Sequence, residues 1–287
     1  MKIIKTVEEM RQYSRQCRQR GLRLACVPTM GYLHEGHASL ISAARHSHDE
    51  VVTSIFVNPT QFGPHEDFER YPRDFDRDHR VVDQAGGTVI FAPSVDEMYP
   101  LGASTSIAVR GVSEPFEGAF RPGHFTGVAT IVARLLLAIE PDAAFFGAKD
   151  FQQTLVIRRM VHDLGIASDV IVLSTIREAD GLAKSSRNVY LTADQRHRAT
   201  ALYRALRAAE DAIHDGAYQK QIIDNAMHDV LRSVDGIEID YASAADASTL
   251  ATPDIFEEGA RIVCLIAVRL GSTRLIDNME FTIGMKA

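Results

Sequence analysis

Between residues 24 and 173 the chain alternates short apolar or β-branched runs with longer stretches of helical periodicity, and this alternation limits its fold more than any other feature. The runs at 24–29, 51–57, 88–91, 143–146 and 170–173 read as strands. Stretches at 37–48, 74–84, 128–139 and 151–164 read as helices, with Leu40, Ile41 and Ala44 on one face of the first and Arg158 and Arg159 on the wet side of the last. Strands separated by helices need right-handed crossovers, which predicts an α/β fold on a parallel sheet.

Beyond Thr175 the texture changes. Thr192 and Gln195 form a capping-box signature ahead of Ala199, Leu202, Leu206, Ala209 and Ile213, which step by three and four until Gly216. A second helix at 219–234 leads into strands at 237–242 and 262–268, the order of a small α+β unit. The expected domains are 1–175 and 176–287, without a Gly/Ser linker or internal repeat, and 287 residues suffice for both cores.

With 31 Lys and Arg against 38 Asp and Glu, the net charge of −7 provides no broad basic field for nucleic acid or anionic lipid. An anionic ligand must therefore be held by a local site. Cys17, Cys26 and Cys264 are odd in number and lack a CxxC pair, which fits a reducing cytoplasm better than a disulfide framework. Residues 1–10 have no apolar core of a signal peptide, and the apolar stretches 131–139 and 262–268 fall short of the ~18–20 residues of a membrane span.

The strongest local signal is the segment from Pro28 to His37, PTMGYLHEGH, where the first of these strands hands over to its helix. Ligands of open parallel sheets bind beyond the carboxyl ends of strands, and a helix N-terminus favours an anion. Gly31 and Gly36 let backbone approach a phosphate, while His34 and His37 can donate hydrogen bonds to its oxygens. A zinc-protease helix is excluded, because its two histidines stand four apart on one helical face and these stand three apart across a glycine. Neither a P-loop nor GxGxxG is present.

Gly147, Ala148, Lys149 and Asp150 follow the strand at 143–146; Lys149 can pair with a phosphate, and Asp150 can cap the next helix or bind a ribose hydroxyl. Lys184, Ser185, Ser186 and Arg187 form either a phosphate clamp or a solvated turn. Gln61, after the second strand, and Gln153, one turn beyond Lys149, are polar candidates for a carboxylate or hydroxyl. His46, His48, His65, His79, His124, His162, His197, His214 and His228 are scattered singly and receive no chemistry. The basic run Arg18, Arg20 and Arg23 reads as a solvated helix end.

Taken in order, PTMGYLHEGH, SIFVNPTQF, the Tyr71-Pro-Arg stretch, RPGHFTGVAT, FFGAKDFQQ, IRRMV and GLAKSSRNVYL resemble the pantoate:β-alanine ligase family from residue 28 to about 191. The resemblance implies a Rossmann-like HxGH nucleotidyltransferase domain, a smaller C-terminal lid domain and a homodimer. It also implies that pantoate attacks the α-phosphate of Mg²⁺-ATP, and that β-alanine then displaces AMP from the pantoyl adenylate. By matching positions, Met30, Gly31, Tyr32, Leu33, His34, Glu35, Gly36 and His37 would bind ATP, with His37 as proton donor. Gly147, Ala148, Lys149, Asp150, Ile176 (through its backbone), Lys184, Ser185, Ser186 and Arg187 would bind ATP too, and Gln61 and Gln153 would hold pantoate, Gln61 also lying near β-alanine. His34, His37, Lys149 and Arg187 would stabilise the developing charge, and no protein metal site is expected, Mg²⁺ being held mainly by phosphates. Lys184 departs from the family, which usually has Met there, as do Ala148 and Ala38. An adenylyltransferase acting on a phosphorylated substrate and a non-catalytic nucleotide-binding module are the rival classes.

Overall fold

The computed structural model describes residues 1–64 and 66–284, so His65 and the last residues of the expected second domain lie outside the described residues. The chain divides into two compact units. One comprises Met1–Ala148 and Gln152–Ser174, and the other comprises Lys149–Phe151 and the chain from Thr175 onward.

In chain order the first unit carries β1 (Lys2–Ile4), α1 (Val7–Gln19), β2 (Leu24–Thr29), α2 (Glu35–Ser47), β3 (Glu50–Ile55), α3 (Phe75–Gln84) and β4 (Val89–Phe91). Then come the one-turn helices α4 (Val95–Met98) and α5 (Glu117–Phe120), followed by α6 (His124–Ile139), β5 (Ala143–Gly147), α7 (Phe151–Asp163) and β6 (Asp169–Leu173). The strands form one sheet in the order β1-β4-β3-β2-β5-β6, every pairing parallel.

Alternation along each strand builds the layers. Leu24 and Cys26 of β2 pack on one side with Met10 of α1, with α6 and with Ile157 of α7. Ala25 and Val27 pack on the other side with Leu40, Ile41 and Ala44 of α2 and Val82 of α3. A sheet covered on both faces needs strands apolar at nearly every position, which LACVPT and EVVTSI supply. From β2 the chain moves to β3 and β4 on one side and later returns at β5 on the other, with Ala25 paired to Ala143. The order of strands therefore reverses at β2, and the carboxyl ends of β2 and β5 flank the switch point.

The second unit carries α8 (Ala193–Arg198), α9 (Ala201–His214), α10 (Lys220–Arg232), β7 (Ile237–Asp246), β8 (Arg261–Leu270) and β9 (Thr273–Thr282). Its sheet is antiparallel in the order β7-β8-β9, and α9 and α10 cover it through Leu202, Leu206, Ile223 and Met227. The chain thus forms the expected parallel α/β unit and a smaller α+β unit.

Some elements differ from the sequence reading. The capping box at Thr192 and Gln195 forms, but it opens only the short α8. Thr200 Oγ1 donates to the His197 carbonyl at 2.7 Å, diverting the backbone ladder, and α9 restarts beyond it. Gly216 does stop α9, at φ +93°. Strands β1 and β9 and helix α1 carry weak patterns. β1 spans three residues, and β9 places Asp277 and Asn278, both buried, where apolar residues would be expected.

Candidate active site

His34 is the N-cap of α2, and it makes an unusual capping box with His37. His34 Nδ1 accepts from Gly36 N–H at 3.1 Å, while His37 Nδ1 accepts from His34 N–H at 3.3 Å, with the ring centroids 4.2 Å apart. Because each Nδ1 is an acceptor, each neutral ring carries its proton on Nε2 and offers Nε2–H as its donor. Gly36 is required for this packing, since a β-carbon there would stand 2.9 Å from His34 Cε1.

The preceding turn is held from a distance. Gly31 adopts φ +82°, and Tyr32 adopts φ +50°, a strained left-handed conformation for a residue with a β-carbon. Asp78 of α3, 1 % exposed, fastens it: Oδ2 accepts Tyr32 N–H at 2.8 Å and Oδ1 accepts Leu33 N–H at 2.6 Å. Burial raises the Asp78 carboxyl above its ordinary pKa, and these two hydrogen bonds recover only part of the shift. Arg77 lies over the Tyr32 ring at 4.4 Å, and Gly31 N–H donates to Thr29 Oγ1 at 3.2 Å.

Gln61 ends a 3₁₀ turn (Pro59–Gln61) after β3. Its amide orientation follows from its neighbours. Asn58 Oδ1 accepts Thr60 N–H at 3.3 Å and the Tyr99 hydroxyl at 2.8 Å, and Asn58 Nδ2 donates to the Gly127 carbonyl at 3.2 Å. That same Nδ2 donates to Gln61 Oε1 at 3.0 Å, which leaves Gln61 Nε2 as a donor beside Met30 Sδ at 3.1 Å. An amide presenting N–H suits an anionic or hydroxyl oxygen. Gly147 closes β5 within the same unit. Gln153 sits half-buried in the first turn of α7, next to Gln152, whose side chain binds Glu117 N–H and the Val112 and Pro115 carbonyls.

Ala148, Lys149 and Asp150 form a 3₁₀ turn before α7. Lys149 and Asp150 group with the second unit, where the Lys149 carbonyl accepts from Asn278 Nδ2 at 2.7 Å. Asn278 follows Asp277, whose buried carboxylate takes the Arg177 guanidinium in a fork at 2.6 and 3.0 Å. Lys184 N–H donates to the Ile176 carbonyl at 2.9 Å, and its ammonium lies 3.3 Å from Glu178 Oε2. Ser185 caps the next 3₁₀ turn by accepting Arg187 N–H, which places Ser186 and Arg187 at its start. The structure thus groups Met30, Gly31, Tyr32, Leu33, His34, Glu35, Gly36, His37, Gln61, Gly147, Ala148 and Gln153 in one unit, and Lys149, Asp150, Ile176, Lys184, Ser185, Ser186 and Arg187 in the other. Asn58 and His124 fall within SIFVNPTQF and RPGHFTGVAT without a role of their own being legible there, and Asp78 lies outside every segment that carries the resemblance.

A doubly wound parallel sheet with a histidine-capped helix at its switch point defines an α/β protein of the HxGH nucleotidyltransferase type. The model of one family, pantoate-beta-alanine ligase, matches residues 2–280, and the chain belongs to that family. It is 49% identical over 279 residues to the pantothenate synthetase of Moorella thermoacetica, covering 97% of this chain and 98% of that protein. The crystal structure of pantothenate synthetase from Thermus thermophilus superposes with a TM-score of 0.89 at 46% identity, over 97% of this chain and 99% of that one. The Francisella tularensis pantoate-beta-alanine ligase, complexed with beta-gamma ATP and beta-alanine, gives 0.80 at 32% identity, covering 97% of each chain.

Proposed function

We propose that this chain condenses pantoate with β-alanine, using ATP, by way of a pantoyl adenylate. The observation that carries the reading is the paired-histidine cap at the carboxyl end of β2, in a chain that matches this family from residue 2 to residue 280. A pantoate carboxylate oxygen attacks the α-phosphorus and pyrophosphate leaves. The β-alanine amine then attacks the acyl carbon, and AMP leaves with the carboxylate's former oxygen on its phosphate. Displacement at phosphorus needs charge stabilisation rather than a protein nucleophile. His34 and His37 are suited to this through their Nε2–H donors, and Lys149 and Arg187 are assigned as the cations. Gly147, Ala148, Asp150, Ile176, Lys184, Ser185 and Ser186 are assigned to ATP, and Gln61 and Gln153 to pantoate.

Mg²⁺ would arrive on the ATP phosphates as part of the substrate, a reading supported by the family resemblance and by the preference of Mg²⁺ for phosphate and water oxygens. No helix among the described residues is long and apolar enough to cross a membrane, and the three cysteines are free and buried. A cytoplasmic homodimer completes the reading, supported by the family resemblance; sedimentation at the 31.7 kDa of one chain would remove the dimer.

The deciding measurement is release of pyrophosphate with pantoate and ATP, and of AMP once β-alanine is added. AMP release that ignores β-alanine would overturn the ligase. We expect His37→Ala to slow adenylate formation by about 10²–10³-fold, the loss of one transition-state donor. A change below tenfold would reject that role.

A further inference from the structure

Arg121 and His124 flank the Pro122-Gly123 turn that opens α6, and neither side chain belongs to the site assigned above. Gly123 at φ +84° makes the turn tight enough for His124 N–H to donate to the Arg121 carbonyl at 3.0 Å. Both side chains then reach one target. His124 Nδ1 lies 2.8 Å from the main-chain oxygen of Gln61, and Arg121 Nη2 lies 3.3 Å from the same oxygen.

The direction of each bond is fixed by chemistry. A carbonyl cannot donate and a guanidinium cannot accept, so His124 donates from Nδ1 and accepts at Nε2 from Arg121 Nη1, 3.0 Å away. That admits only the neutral Nδ1–H tautomer. Burial, helped by the Arg121 charge, lowers the His124 pKa to about 4, in keeping with that state. Arg121 is itself held in a fork by Glu66, with Nε and Nη2 each 2.7 Å from a carboxylate oxygen, and its Nη1 lies 3.6 Å from Glu117. Burial would raise the Glu66 carboxyl, but Arg121 outweighs it and holds the group below its ordinary range. One turn along α6, a β-carbon on Gly127 would stand 2.4 Å from the Thr60 carbonyl, so the helix backbone abuts the turn carrying Gln61.

We propose that Arg121 and His124 are positioning residues that clamp the main chain of Gln61, and that this clamp, rather than Gln61 alone, sets affinity for the acid substrate. The inference rests on the reading of Gln61 as a pantoate contact. Asn at position 124 can return the donor that Nδ1 supplies; Leu cannot. We expect His124→Leu to raise the pantoate KM about tenfold, the value of a lost buried hydrogen bond, while the ATP KM stays within about twofold. His124→Asn should restore most of the loss. A merely structural role would move both constants together with the melting temperature. In the wild-type protein, imidazole ¹⁵N NMR at pH 7 should show His124 as the neutral Nδ1–H tautomer. An Nε2–H tautomer, or an unchanged pantoate KM in His124→Leu, overturns the clamp. The Nδ1–H tautomer without pantoate-dependent pyrophosphate release leaves the clamp standing and rejects the functional reading instead.

Discussion

Replacing Asp78 by Asn separates two quantities that usually fall together, global stability and loop order. The carboxylate is 1 % exposed and accepts two backbone N–H groups, at 2.8 and 2.6 Å. Asn retains one acceptor, so one of these bonds, worth ~1.5–3 kcal/mol when charge-assisted, is replaced by two donors facing each other. Against this loss stands the cost of burying the charge, which already raises the Asp78 pKa despite both hydrogen bonds. Asn abolishes that cost. The two effects nearly cancel, so calorimetry of Asp78→Asn should find Tm within about 4 °C of wild type, the equivalent of roughly 1 kcal/mol. The turn at Tyr32, strained at φ +50°, loses one of the two backbone ties that Asp78 gives it. A tenfold fall in the fraction of correctly ordered loop raises the apparent dissociation constant about tenfold. We therefore expect the ATP KM for pyrophosphate release to rise about tenfold at saturating pantoate. The sign with pH follows from the raised pKa: the burial cost is absent in acid and sets in as pH rises through the folded-state value, so wild type loses ground to the Asn variant on going to neutral pH. An ATP KM within about twofold of wild type would refute the anchoring role, and a variant losing ground toward neutral pH would show that hydrogen bonding outweighs burial.

Lys184→Met should leave the ATP KM within about twofold, because the ammonium is already paired with Glu178 and the backbone N–H that holds Ile176 remains; a tenfold rise in steady-state kinetics would assign it a phosphate contact. Protonating His124 would set two donors against each other. Arg121, Glu66 and Glu117 are the charges that face it, and its depressed pKa makes its contribution complete above about pH 6.5 and progressively lost toward its folded value of about 4. Denaturant titrations should show that acid loss, on the order of 3 kcal/mol, shrink in His124→Asn; an unchanged slope would place the titration elsewhere.

The inner layers of the fold were legible because β2, β3 and β5 are apolar at nearly every position and α2 is apolar on one face, patterns that β1 and α1 lack. Val51 and Val52 announce a buried strand without any knowledge of their partners, and Leu40, Ile41 and Ala44 announce a face. The second sheet was read less fully, since Asp277 in β9 is buried only because Arg177, a hundred residues earlier in the chain, neutralises it in a fork. No local window contains that pairing.

The same contrast runs through the candidate site. Glycines and histidines at a strand end are conspicuous, whereas Asp78 looks like an ordinary polar position of an amphipathic helix; its partners stand 46 and 45 residues away. His124, read as a scattered histidine, is a positioning candidate for the same reason. Knowing these partners alters what the histidine loop offers to an anion. Gly31 N–H goes to Thr29, Tyr32 and Leu33 N–H go to Asp78, His34 N–H goes to His37, and Gly36 N–H goes to His34. The glycines there serve the loop's own closure: Gly31 carries the turn at φ +82°, and Gly36 leaves room for the His34 ring. Each imidazole is fixed as its Nε2–H tautomer by a backbone amide, and in the proposed reaction those two Nε2–H groups would be donors toward the developing charge. In the proposed reaction Asp78 would act at a distance, holding the turn through the Tyr32 and Leu33 N–H groups, while the histidines would be the groups that meet the charge.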